Sequence, residues 1–169
     1  MPAVEELPAA PGAFDLIGVS YDHAVAVYAD GSTGPYPLDA RVDPTGWAPW
    51  PEELGKGLRR VHDALPRRDL LVTGFGCATA AADPRQDEWR VEVVQGSVEQ
   101  IRAAVADGVP VRGALHRGAV DGYEWEHGTT VDRGLFDRDR RVKESARVLA
   151  RAAGVTLSDD RPRDRSGTP

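Results

Sequence analysis

Leu-Leu-Val-Thr-Gly-Phe-Gly-Cys-Ala, residues 70–78, is the stretch around which the chain is organised. An apolar run that ends in paired glycines is typical of a buried strand whose last residues reach a site. Two further long strands are expected at 14–21 and 109–116, and helices at 51–65, 86–107 and 143–153. This alternation predicts βαβ crossovers, and therefore a parallel sheet with helices on at least one face.

Each expected helix has an apolar stripe at helical spacing. The stripes comprise Leu54, Leu58, Val61 and Leu65; Val91, Val94, Val98, Ile101 and Val105; and Ala146, Leu149, Ala150 and Ala153. Gly96 lies inside the second helix, where glycine costs about 1 kcal/mol relative to alanine. A short extra strand is expected at 24–28, and the Pro- and Gly-rich stretch 32–50 is expected to be a long loop.

Composition favours one soluble domain over 13–157, between flexible tails at 1–12 and 158–169. The formal net charge of -6 disfavours nucleic acid and anionic membrane as partners. No apolar run reaches the roughly 18 residues of a membrane span, and no secretory h-region is evident, so a cytoplasmic location is expected.

Neither a metal nor a cofactor is expected. The four histidines show no i,i+4 metal pair, and the single Cys77 suits core filling better than nucleophilic attack. Gly74 and Gly76 are not followed by the Lys-Ser/Thr of a phosphate loop.

Short motifs then recur in one order along the chain. They are Asp15-Leu-Ile-Gly-Val-Ser-Tyr21, Gly46-Trp47, Pro51-Glu-Glu-Leu54, Val72-Thr73, Gly76-Cys-Ala78, Asp87 with Arg90, Asp107-Gly-Val-Pro-Val-Arg-Gly113, Asp121-Gly-Tyr-Glu-Trp125, Gly134-Leu135, Asp139 and Lys143-Glu-Ser-Ala146. In this order and spacing, the series resembles the C-terminal part of glycoside hydrolase family 1, over residues 15–153.

The resemblance implies three of the eight units of a (β/α) barrel, and hence an α/β, partial TIM-barrel-like fold of about three parallel strands with flanking helices. It places the family's catalytic nucleophile, the Glu of Ile-Thr-Glu-Asn-Gly, at Gly74. The family's acid/base Glu belongs to the first five units, which have no counterpart here. Retaining hydrolysis needs both carboxyl groups, so this chain is not expected to hydrolyse glycosides alone by the family mechanism.

The same comparison suggests a binding site. Ser20 and Asp22 fall where the family has an active-site Asn and Tyr, and Arg117 and Arg133 fall where it has a Trp and a Phe. Glu124 and Trp125 keep the identity of the family's sugar-binding residues. Two guanidinium groups beside carboxylates favour an anionic or strongly polar ligand. The alternative is that the arginines only form salt bridges and that Glu124 and Trp125 are structural.

Three strands cannot close a barrel, so one sheet face and both edges need a cover. Strand alternation predicts that this face carries Leu16, Gly18, Ser20 and Asp22 together with Val72 and Gly74. Loop 32–50, a homo-oligomer or a partner chain are the candidate covers, and an unstable relic of gene truncation is a further alternative.

Three functions follow from this interpretation. The first is a glycosidase-like protein that binds a polar or sugar-derived ligand or a partner chain. The second is a repurposed lyase, isomerase or cyclase that uses Asp22 and Glu124. The third, half of a split glycosidase, is disfavoured by Gly74, because the nucleophile belongs to this half.

Overall fold

The computed structural model describes residues 14–81, 83 and 85–157, so both predicted tails lie outside the described residues. The strands are β1 (Leu16–Ser20), β2 (Val25–Val27), β3 (Thr33–Pro35), β4 (Asp69–Gly74), β5 (Thr79–Ala80), β6 (Val111–Ala114) and β7 (Val131–Asp132). The helices are α1 (Pro51–Ala64), α2 (Gln86–Ala106) and α3 (Glu144–Ala152). None of these helices has the length and apolar content needed to cross a bilayer.

The three long strands form a parallel sheet in the order β1-β4-β6, as predicted. Two antiparallel pairs accompany it, the hairpin β2–β3 and the ladder β5–β7. The hairpin corrects the prediction of a single extra strand followed by a loop, because Thr33–Pro35 pairs back across the Asp30-Gly31 turn.

The core lies between one face of the sheet and the three helices. Leu70 and Val72 of β4 are fully buried there, together with Leu54, Leu58, Val94, Ala104 and Val148 from the helices. Ile17 and Val19 of β1 and Val111 of β6 pack against the same cluster. Alternate residues of β1 therefore point to the helices, and the others point to the opposite face.

Three residues that were predicted to lie on the buried helix stripes are exposed, so these three predictions are wrong. Leu65 and Val105 are 43% and 47% exposed, and Ala153 is exposed as well. Each lies at or next to the C-terminal end of its helix. Val148 and Ala104, which were not predicted, are buried instead.

The predicted composition of the opposite sheet face is also wrong at Val72, which is buried on the helix side. The register shifts between Val19 and Ser20, so that Val19 pairs with Val72 but Ser20 pairs with Gly74. This shift leaves Val72 in the core and places Gly74 beside Ser20.

Loop 32–50 does not cover that face in the described part of the chain. Its contacts lie elsewhere: Asp43 binds Ala78, and the Arg41 guanidinium lies 4.4 Å from the Trp89 ring centre. Leu16, Gly18 and Thr73 remain exposed. The prediction that this loop blankets the open sheet is therefore wrong.

Candidate functional site

The carboxyl ends of the three parallel strands meet at one edge of the sheet. Tyr21 N–H donates to the Gly74 carbonyl, and Arg117 N–H donates to the Phe75 carbonyl, both at 2.9 Å. A Cβ atom at position 74 would lie 3.0 Å from Ser20 Oγ and 4.0 Å from Arg117 Cβ. A side chain at position 74 would therefore point between the ends of β1 and β6.

A cleft of about 300 Å³ opens at this edge. It is lined by Asp22, His23, Asp43, Thr45, Trp47, Arg117, Glu124, Trp125, Glu126, His127 and Arg133. Six residues were singled out from sequence, five for binding and Asp22 as a speculative catalytic carboxylate, and all but Ser20 line this cleft. Ser20 lies beside position 74. Their convergence places the proposed residues together, while their roles toward a ligand stay predictions.

Both arginines of the cleft are already ion-paired. Arg117 Nη1 lies 2.8 Å from Asp22 Oδ2, and Arg133 Nε lies 3.5 Å from Glu124 Oε2. Asp43 and Glu126 add two further carboxylates to the lining. Four carboxylates against two guanidinium groups leave the cleft negative, before any histidine is counted. This balance does not favour the anionic ligand that the arginines suggested from sequence.

Loop 32–50 supplies one wall of the cleft. The buried Asp43 Oδ1 accepts hydrogen bonds from Thr45 N–H and from its hydroxyl, at 2.8 and 2.5 Å, and its Oδ2 accepts one from Ala78 N–H at 3.2 Å. This arrangement fixes Trp47, whose ring stacks on His23 at 4.0 Å and 13°. Burial lowers the pKa of His23 below its usual value, which favours the neutral imidazole in this stack.

Sequence reasoning missed Asp43, Trp47 and His23 as part of the site. The segment Asp43-Pro-Thr-Gly46 did contain a signal. An aspartate that accepts hydrogen bonds from the backbone of its own turn is typical of a loop with one fixed conformation. The signal identifies a turn, but it does not indicate where the turn packs.

Glu124 and Trp125 lie in a tight turn that also lines the cleft. The backbones of Glu124 and Gly128 bond to each other at 2.7 and 2.8 Å. Trp125 is 94% exposed and contacts Tyr123 edge-on at 6.5 Å. An indole this exposed at the mouth of a cleft offers a stacking surface to a ligand ring or to another protein surface.

Other motif residues build the scaffold behind the cleft. Arg90 is buried; its guanidinium donates to Asp87 Oδ1, to Thr79 Oγ1 and to the Asp132 carbonyl. Asp87 in turn accepts from the Ser145 N–H and hydroxyl at 3.0 and 2.7 Å. These bonds join α2 to the β5–β7 ladder and to the start of α3.

A second buried carboxylate holds the segment that follows β6. Asp121 accepts from Gly134 N–H at 2.8 Å and is ion-paired with Lys143 at 2.5 Å. The two ends of segment 121–143 are thereby tied together, and the Glu124–Gly128 turn is positioned between them.

Metal and thiol chemistry have little support in the described part of the chain. Within residues 14–81, 83 and 85–157, no three His, Cys, Asp or Glu side chains are grouped as a metal ion would need. Burial raises the pKa of Cys77 to about 12, so its thiol is not ionised near neutral pH.

The family model of glycosyl hydrolase family 1 matches residues 29–154, well over half of the chain. The chain belongs to glycosyl hydrolase family 1. The predicted family and the predicted α/β, partial TIM-barrel-like fold class are both confirmed.

Relatives of known activity are distant and much longer. A bifunctional β-D-glucosidase/β-D-fucosidase of Bifidobacterium breve is 27% identical over 136 residues, which are 69% of this chain and 30% of that protein. A chloroplastic benzoxazinone-glucoside β-D-glucosidase of Secale cereale is 26% identical over 117 residues, or 63% of this chain and 21% of the relative.

Solved structures of the family show the same fold. The family 1 β-glucosidase of Thermotoga maritima superposes with a TM-score of 0.72 at 22% identity, over 83% of this chain and 34% of that one. A β-glycosidase from Pyrococcus horikoshii gives 0.70 at 29% identity, over 92% and 38%. The chain thus spans about a third, or less, of the family 1 proteins that it matches.

Proposed function

We propose that this family 1 chain binds a polar, sugar-derived ligand in the cleft and does not hydrolyse glycosides by the family's two-carboxylate mechanism. The observation that carries the proposal is Gly74, which ends β4 beside Ser20 and Arg117. A retaining mechanism needs a carboxylate that attacks the anomeric carbon, and a glycine at that position supplies none.

The neighbouring carboxylates are poor replacements for that nucleophile. Asp22 and Glu124 are each ion-paired with an arginine, which offsets the negative charge that a nucleophilic carboxylate needs. The same contacts suit a binding site, since carboxylate oxygens and guanidinium groups fixed in place can bind several hydroxyl groups at once.

The charge balance supports a neutral or basic ligand over an acidic one. A bound ammonium group would be stabilised by the surplus of carboxylates, and the exposed Trp125 ring offers a face for a cation or a sugar ring. Deoxynojirimycin, a basic sugar analogue, is bound in a solved structure of the Thermotoga maritima β-glucosidase and is therefore a suitable probe.

Hydrolysis is tested with 4-nitrophenyl β-D-glucoside and β-D-fucoside. We expect no release of nitrophenol above that of buffer by the 169-residue chain. Release that follows the protein through purification and disappears in Asp22→Asn or Glu124→Gln would disprove the non-hydrolytic part of the proposal.

Binding is tested separately by calorimetry with glucose, deoxynojirimycin and glucuronate. We expect deoxynojirimycin to bind most tightly and glucuronate least, and Glu124→Gln to weaken deoxynojirimycin at least tenfold. Glu99→Gln, the same change on an exposed turn of α2, is the matched control. Equal affinities in both variants, or a preference for glucuronate, would contradict the assignment of this cleft.

A second candidate function is an isomerase, lyase or cyclase that uses Asp22 and Glu124 as acid and base. Its support is that both carboxylates line one cleft with an arginine beside each. Incubation with reducing sugars in D₂O would then exchange a carbon-bound proton, which NMR detects, and Asp22→Asn would abolish that exchange.

A further inference from the structure

Among residues 14–81, 83 and 85–157, helices cover one face of the parallel sheet and nothing covers the other. On the opposite face Leu16 is 40% exposed, Gly18, Ser20 and Thr73 are exposed, and Leu71 is half-buried. Leu71 and Thr73 belong to the central strand, whose main chain is paired on both sides. Parallel sheets are nearly always covered on both faces, so an exposed central strand indicates that a cover is missing.

Both edges of this sheet are also open. Among the residues that the structure describes, β1 and β6 each pair only with β4, and the isolated bridges involve neither strand. Tyr21 N–H points to β4, so strand alternation turns the main-chain groups of Leu16 and Gly18 outward. Such groups are a template for pairing with another strand.

The two open strands carry opposite charges at their ends. Asp15 precedes β1 and Asp22 follows it, whereas Arg112 lies at the start of β6 and Arg117 follows that strand. Within the chain, Arg112 bonds to Asp69 through Nε and Arg117 bonds to Asp22 through Nη1. Their side chains remain 65% and 49% exposed, so further guanidinium N–H groups are available.

We propose that a second copy of this chain covers the open face, with β1 of each copy paired in parallel with β6 of the other. A two-fold axis along the strands keeps all of them parallel and satisfies both edges of both copies at once. The result is a closed, six-stranded parallel barrel in the order β1-β4-β6-β1-β4-β6 with no free edge.

This pairing brings acid next to base at both ends of each new strand pair. Asp15 lies near Arg112 of the partner subunit, and Asp22 lies near Arg117 of the partner subunit. A closed barrel also places the two clefts at one rim, because the carboxyl ends of all six strands lie on the same side. The ring closes with two copies, because both edges of each copy are then paired, so association stops at two.

The first test is the mass of the 169-residue chain in solution, by light scattering after size exclusion. We expect twice the 18.2 kDa chain mass. A monomer across the accessible concentration range, or a ring or filament of three or more copies, would overturn the proposal.

The second test checks which strands meet. Asp15→Cys and Arg112→Cys proteins are mixed and treated with a short bifunctional maleimide; the natural Cys77 is buried. We expect covalent dimers in this mixture, but not in Asp15→Cys alone or in a mixture of Asp63→Cys and Arg112→Cys. Asp63 is exposed on α1 and belongs to neither edge strand. Equal cross-linking of both mixtures, or none, would refute this arrangement.

The third test uses charge reversal. Asp15→Lys places like charges together and is expected to weaken dimerisation at least tenfold, while adding Arg112→Glu restores it. Asp63→Lys makes the same charge change outside the proposed interface and is expected to leave the mass unchanged. Unaltered dimers in Asp15→Lys would show that the copies associate elsewhere.

Discussion

Arg90 is the largest fully buried side chain of the described residues. Because it is charged, its substitution tests whether the buried hydrogen-bond network stabilises the fold. Its guanidinium is bound by Asp87, Thr79 and the Asp132 carbonyl. Arg90→Leu leaves Asp87 without its cation and uncouples α2 from the β5–β7 ladder. Breaking a buried pair in this way costs about 3 to 5 kcal/mol of unfolding free energy.

Urea unfolding followed by circular dichroism measures that loss. Arg85→Leu is the control, because Arg85 is 84% exposed and its pair with Asp83 lies in solvent. A cost for Arg90→Leu no larger than for Arg85→Leu would show that the buried network does not stabilise the fold.

His116 makes the stability of the fold depend on pH. Burial lowers its pKa from 6.5 to about 4, and its Nδ1 contacts the Gly118 carbonyl at 3.2 Å, while Nε2 has no hydrogen-bond partner among the described residues. Between pH 6.5 and 4, the unfolded chain binds a proton that the folded chain does not. Unfolding free energy is therefore expected to fall as pH falls through this range, by up to about 3 kcal/mol.

Urea titrations at pH 7 and pH 5 measure this dependence. His116→Gln removes the titrating ring, so the difference in stability between the two pH values should shrink. His23 also has a lowered pKa and titrates in both proteins, so only the change between them reports on His116. An identical pH dependence in the variant would exclude His116 as its source.

At the scale of elements, the close approach of α1 to α2 explains why residue 96 is a glycine, although glycine is a poor helix former. A Cβ atom on Gly96 would lie 3.0 Å from Cβ and Cγ of Pro51, a rigid ring at the start of α1. Gly96→Ala is therefore expected to destabilise the protein, although alanine is the better helix former.

Gly57→Ala is the matched control for that prediction. Gly57 lies inside α1, and apart from the backbone of its own helix no described atom lies within 4 Å of its Cβ position. This substitution is expected to raise the unfolding free energy by about 0.5 to 1 kcal/mol. Thermal unfolding of the two variants should shift in opposite directions, and a stabilised Gly96→Ala protein would contradict the close-packed contact.

The elements that sequence predicted well are those with periodic apolar residues. The helix starts at Pro51 and Gln86 and the pairing of three parallel strands followed from local pattern. Strand β3 did not, since Thr33–Pro35 has no alternation and forms only by pairing with β2. The ends of the apolar stripes failed because burial there depends on which helix face meets the core, as the buried Ala104 beside the exposed Val105 shows, and local spacing did not resolve this.

The candidate site also has features that could be predicted from local sequence and features that could not. Ser20, Gly74 and Arg117 could be placed together because the carboxyl ends of parallel strands meet at one edge. The packing of Trp47 on His23 depends on the fold of loop 32–50, and the ion pairs of Arg117 and Arg133 depend on side-chain geometry. The sequence therefore indicated where the site lies in the fold, but it did not indicate that carboxylates outnumber arginines in the cleft.

At the scale of the whole molecule, the open sheet links stability to association. The helices bury one face of the sheet, but the exposed Leu16 and Thr73 face contributes little to the core of a single copy. If two copies close a barrel, the buried area of each rises on assembly, and the folded state is stabilised by mass action.

The midpoint of thermal unfolding is therefore expected to rise with chain concentration. Leu16→Pro should remove this dependence, because proline blocks an outward N–H of β1 while leaving the bonds to β4 in place. Scanning calorimetry at several concentrations measures both proteins, and circular dichroism confirms that the variant is folded. A midpoint independent of concentration in the unmodified chain would mean that one copy reaches its full stability alone, which the exposed central strand argues against.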